Sequence, residues 1–152
     1  MSVTILVIED ITRHFEDVET FVDARCSALH LIKNGAARNG YVVKQIIGEE
    51  NIKNALQEYE EIGAPILLIF DIHMEHEGSV YDLEELIALI WNAPSTTWLG
   101  QVHIIVNSAF LRKTKHHPSR PHAIKVPKLG EGRSRPWVEL SEAIRDSVRA
   151  LK

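Results

Sequence analysis

The sequence predicts an α/β fold: a doubly wound, five-stranded parallel sheet covered by helices on both sides. Three observations carry this. Short continuous apolar, β-branched runs recur along the chain, as expected of strands buried on both faces. Segments with apolar residues at helical spacing lie between them. Strands that alternate with helices pair in parallel, because each helix returns the chain across a face of the sheet.

Taken in order, "VTILVI" (Val3 to Ile8) is the first strand. Thr12 to about Lys33 carries Phe15, Val18, Val22, Leu29 and Ile32 at roughly helical spacing and stops at Asn34-Gly35, a C-terminal signal, so one long helix is expected there. The length between Asp10 and Tyr41 suits a long first helix that could offer an interaction surface. "YVVKQII" follows the Asn39-Gly40 turn as the second strand. Asn51 to Ile62 places Ile52, Leu56, Tyr59 and Ile62 on one helical face, and Gly63-Ala64-Pro65 ends it. "ILLIF" is the third strand, and Leu83, Leu86, Ile87 and Ile90 mark another amphipathic helix. "VHIIV" and "HAIKV" are the fourth and fifth strands. Ser134 to Leu151 closes the chain, with Pro136 in the first helical turn and Trp137, Leu140, Ile144, Val148 and Leu151 inward.

With 152 residues, 45% hydrophobic and 25% charged, the chain is expected to form a single domain over 1–152 with one sizeable core. A lone cysteine, Cys26, excludes an internal disulfide and fits a reducing compartment. The apolar N-terminus is short, lacks a basic flank and meets Glu9 and Asp10 at once, which is a strand and not a signal peptide. No apolar run approaches the roughly 20 residues needed to cross a bilayer. A soluble cytoplasmic protein with no membrane partner is expected. The net charge of −4 conceals an asymmetry: Arg112 to Arg135 holds eight Lys or Arg against Glu131, leaving the rest at about −11. Without interleaved aromatics this segment reads as a solvated loop balancing a nearby acidic site, and nucleic acid is not expected as a partner.

In open parallel sheets, ligands bind at the carboxyl ends of the strands, where strand order reverses. Asp71 ends the third strand and Glu9-Asp10 end the first, so three carboxylates reach one edge if those strands are neighbours. Crowded carboxylates repel one another unless a cation neutralises them, and an all-oxygen set with few protein ligands suits Mg²⁺. The fourth strand brings Ser108 to the same edge, and the fifth brings Lys125, with Lys128 close by. Together these could hold a metal and a phosphoryl group, with a carboxylate as nucleophile, cations as charge neutralisers and a hydroxyl as donor.

The ordered set "ILVIED", "ILLIFDIHM" followed by "EGSVYDLEELI", "VHIIVNSA" and "AIKVP" resembles the receiver domain of bacterial two-component response regulators, over nearly the whole chain. The resemblance implies a flavodoxin-like fold with strand order 2-1-3-4-5. It implies that Asp71 accepts a phosphoryl group from a histidine kinase or phosphotransfer protein. Mg²⁺ would be held by Glu9, Asp10, Asp71 and the backbone carbonyl of His73. Ser108 would bind a phosphoryl oxygen, and a lysine, Lys125 or Lys128, would pair with the phosphate. No output domain is expected after the last helix, so the expected output is a conformational change that exposes a surface to a downstream protein effector. A homodimer is compatible with this.

Four features depart from the family. Glu75 follows Met74 where a proline is usual, and Gly78 comes one residue early. Val126, not a lysine, directly precedes Pro127, which moves Lys125 back one position. "FLRKTKHHPSRPH" is short and contains Pro118 and Pro121, so the helix between the fourth and fifth strands is expected to be short or missing. His122 or Ala123 stands where an aromatic switch residue is typical. These departures support an alternative, a pseudo-receiver that binds proteins without being phosphorylated.

Other classes are weaker. A phosphatase of the haloacid dehalogenase type would need an acid at His73 and its motif on the first strand. A transition-metal site at His73, His76, His116 or His117 lacks a second spaced pair or cysteines. His73 could tune the edge with pH. His14, His30 and His103 read as surface or packing residues.

Overall fold

The structure, a computed structural model, describes residues 2–9, 11–36, 38–70, 73–76, 79–82, 102–108, 123–127 and 136–151. In chain order the described elements are β1 (Val3–Ile8), α1 (Thr12–Ala28), β2 (Ile32–Lys33), β3 (Gly40–Ile46), α2 (Glu49–Ile62), β4 (Ile66–Phe70), β5 (His73–His76), β6 (Ser79–Asp82), β7 (Val102–Ser108), β8 (Ala123–Pro127) and α3 (Pro136–Leu151). The expected helix over 83–90 and the stretch between β7 and β8 lie outside the described residues.

Six of these strands form one sheet in the order β2-β3-β1-β4-β7-β8, all paired in parallel. Its five longer strands stand in the expected order, and the sheet is a flavodoxin-like α/β sheet with an added two-residue edge strand. β1 sits in the middle with all six residues buried, as its continuous apolar run requires.

Side chains alternate between the faces of a strand. Val3, Ile5 and Val7 of β1, Leu67 and Ile69 of β4 and Ile105 of β7 share one core with Val18, Val22 and Cys26 of α1 and Leu140, Ile144 and Val148 of α3. The opposite face carries Leu6, Ile8, Ile66 and Leu68, all buried, and α2 covers it with Ile52, Leu56 and Tyr59. Lys44 of β3 donates to the Tyr59 hydroxyl at 3.1 Å on that side. The sheet is thus wound on both faces. Ile62, expected on the inward face of α2, is 56% exposed. It is the last helical residue, and Gly63, with φ of +69°, turns the chain away towards β4.

The first helix corrects the sequence reading. It ends at Ala28 rather than near Lys33. The His30 N–H donates to the Ser27 carbonyl at 2.9 Å and the Leu31 N–H to the Cys26 carbonyl at 2.9 Å, with His30 at a φ of +60°. This is a Schellman termination, closed by burial of Leu31 against Cys26 in the shared core. Continuing the helix would pull Leu31 out of that core.

The residues beyond form the edge strand instead, so Ile32 is exposed, not inward. The Ile32 N–H donates to the Asn39 carbonyl and the Asn34 N–H to the Tyr41 carbonyl, both at 2.7 Å. Gly40 lies so close to Gly35 that a Cβ on Gly40 would collide with the Gly35 carbonyl oxygen, which explains the glycine of the second Asn-Gly pair. Lys33 is held against α1 by Asp23 at 2.9 Å and Glu19 at 3.2 Å, while the Tyr41 hydroxyl donates to the other Asp23 oxygen at 2.8 Å.

A second departure follows β4. His73–His76 and Ser79–Asp82 form an antiparallel hairpin, with His73 opposite Asp82 and His76 opposite Ser79. The sequence reading expected no strands between the third strand and the helix over 83–90.

Three outcomes test this packing. Leu67→Ala, at a fully buried position on the central sheet, should cost about 2–5 kcal/mol in urea unfolding, against less than about 0.5 kcal/mol for exposed Ile62→Ala. His30→Gly should stabilise the fold by about 1 kcal/mol, since the left-handed cap penalises a side chain. The Cys26 thiol is pushed up to about 12, first by burial and then by the Asp23 carboxylate. At about pH 8 its alkylation should therefore be slow in the native protein and should track unfolding, because the thiolate is the reactive form.

Candidate functional site

Strand order reverses beside β1. From β1 the chain crosses to β3 on one side and then to β4 on the other, so the crevice at the carboxyl ends of β1 and β4 is the switch point of the sheet. Parallel registers align these ends closely: Ile46, Ile8, Phe70, Val106 and Lys125 share one rung across β3, β1, β4, β7 and β8. Glu9 directly follows Ile8, and Asp71 directly follows Phe70 in sequence. Asp10 and Asp71 themselves lie outside the described residues.

Glu9 is the best-defined member. It is 3% exposed, although it stands at a strand end where water would be the default neighbour. Its Oε1 accepts the Ile11 N–H at 3.4 Å, a long bond, and its backbone carbonyl accepts Gln45 Nε2 at 3.0 Å. Burying a carboxylate is costly unless charge or hydrogen bonds compensate.

His14 is the residue that sequence reading missed. Three residues separate the end of β1 from the start of α1, and this short link sets the first turn of α1 over the strand end. His14 Nδ1 comes to 3.8 Å from Glu9 Oε1, beyond hydrogen-bond distance, and is buried without a hydrogen-bond partner. No spacing rule links Glu9 to His14; only the strand-to-helix turn does.

Ser108 closes β7 in register with Pro127, two rungs beyond Val106 and Lys125. Neighbouring strands lie about 4.8 Å apart, so the Lys125 backbone is roughly 10 Å from that of Phe70 along the shared rung. Lys128 lies outside the described residues. His73, whose carbonyl the resemblance assigns to Mg²⁺, heads the hairpin opposite Asp82. The signal that could have found the hairpin is its spacing: two residues, one of them Gly78, separate His76 from Ser79, and Val80-Tyr81 favour a strand.

Comparison with protein-family models, with curated proteins and with solved structures found no match.

Among the described residues no three His, Cys, Asp or Glu side chains stand together as a metal cluster. What they offer to the implied Mg²⁺ is the buried Glu9 carboxylate, an oxygen donor of the right chemistry, with an orphaned nitrogen beside it. No described helix is long and apolar enough to cross a membrane.

Proposed function

We propose that the chain is a phosphoacceptor receiver, a switch that takes a phosphoryl group on Asp71 with Mg²⁺ bound and signals by conformational change to a partner protein. One observation supports this above the others: β1 and β4 meet in register at the strand-order reversal, with buried Glu9 one residue past Ile8 and Phe70 immediately before Asp71. Such a crevice gathers chemistry from separate strands onto a rigid edge.

In this reading Glu9, Asp10, Asp71 and the His73 carbonyl hold the cation. Mg²⁺, when bound, supplies positive charge against the developing charge on the phosphoryl oxygens. An Asp71 carboxylate oxygen attacks phosphorus, the P–N bond of a donor phosphohistidine breaks, and the leaving imidazole keeps the electron pair and takes up a proton. The Ser108 hydroxyl donates to a phosphoryl oxygen, and the Lys125 ammonium pairs with the phosphate. The place of Lys125 on the Phe70 rung favours it over Lys128. The donor is a histidine kinase or phosphotransfer protein, and the recipient of the signal is a downstream protein effector. This is stoichiometric switching rather than turnover, with neither nucleic acid nor membrane as partner.

A second reading, the pseudo-receiver that binds protein without phosphorylation, is favoured by the hairpin. β5 begins two residues beyond Asp71, where the receiver reading needs a loop carbonyl to face a cation. Intact mass after incubation with Mg²⁺ and acetyl phosphate separates the two. The receiver reading expects one added phosphoryl group in the wild type and none in Asp71→Asn. It also expects Mg²⁺ at about 100 times its dissociation constant to raise unfolding stability by about 2.7 kcal/mol. No added mass together with no Mg²⁺ binding by calorimetry would overturn the receiver reading and support the pseudo-receiver.

A further inference from the structure

We infer that His14 is a ligand in the same cation site, so that the site binds a divalent transition-metal ion of the Co²⁺ or Zn²⁺ class more tightly than Mg²⁺. This rests on the reading that the Glu9 carboxylate holds a divalent cation.

Two observations carry it. His14 Nδ1 is enclosed and unpartnered although its side chain is 45% exposed, so the ring meets water through its other edge and turns its orphaned nitrogen inward. That nitrogen stands 3.8 Å from Glu9 Oε1. The gap is too long for a hydrogen bond, yet two ligand bonds of about 2.0–2.2 Å each span it in a bent arrangement around one ion.

The donor set then decides the metal. Mg²⁺ is a hard ion that prefers oxygen and retains its waters. An imidazole nitrogen beside a carboxylate adds little for Mg²⁺ and much for ions later in the first-row series, for which neutral imidazole is a common ligand. His14 can serve because the turn from β1 into α1 is short, which places helix and strand ligands on one ion.

The test uses the full chain stripped of metal. Calorimetry would be run with Co²⁺ alone and with Mg²⁺ alone on wild type, His14→Gln and Glu9→Gln, with proton NMR of the Co²⁺ form to detect paramagnetically shifted imidazole protons. Wild type should bind Co²⁺ more tightly than Mg²⁺ and show a shifted imidazole. His14→Gln should lose that signal and weaken Co²⁺ by at least the roughly 10- to 100-fold that loss of an outer-shell partner costs a metal site, with Mg²⁺ affinity changed by less than about twofold. Retained Mg²⁺ binding also shows that this variant is folded. If Glu9→Gln loses both ions while His14→Gln binds Co²⁺ as wild type does, the role of His14 is overturned and the cation site stands. If Glu9→Gln binds both ions unchanged, the cation site itself is overturned and His14 with it.

Discussion

The in-register pairing of β1 with β4 is the constraint on which the rest of the structure depends. Ile8 lies beside Phe70, and the same rung continues through Val106 to Lys125. Because parallel strands all run out at one edge, this alignment turns sequence-distant residues into neighbours without requiring any loop to be rigid. The pairing is held by apolar burial: Ile5, Leu67 and Leu68 are fully enclosed, and helices press on both faces. A change that weakened this central pair would lose the core and the site together.

The first helix transmits that constraint at both of its ends. At its start, the three-residue link from β1 leaves His14 little choice but to lie over Glu9. At its end, the Schellman turn at His30 returns Leu31 to the core and releases Ile32-Lys33 to pair with β3. In between, Arg25 Nε donates to Ser141 Oγ at 2.7 Å, joining α1 to α3 on the same face. The first helix is thereby fixed to the strand end, to the sheet edge and to the last helix.

The hairpin β5-β6 gives the residues that follow β4 a different setting from the one their sequence motifs suggest. It follows the central strand after only two residues and pairs His73 with Asp82. Antiparallel pairing occupies backbone groups that a loop would leave open to a ligand. The hairpin is therefore the feature on which the receiver and pseudo-receiver readings differ most directly.

Much of this was legible in the chain itself. The largely apolar runs at Val3–Ile8, Ile66–Phe70 and 102–106 are strands in the structure, since a segment buried on both faces must be mostly apolar. The inward faces of α2 and α3 followed from helical spacing at Ile52, Leu56 and Tyr59 and at Leu140, Ile144 and Val148. The end of α1 did not, because Leu29 and Ile32 continue the helical period and only the core position of Leu31 breaks it. Nor did the approach of His14 to Glu9: local periodicity reports which face of its own element a residue occupies. Which elements face each other is set by strand order and by the length of the turns between them, and those exist only in the folded chain.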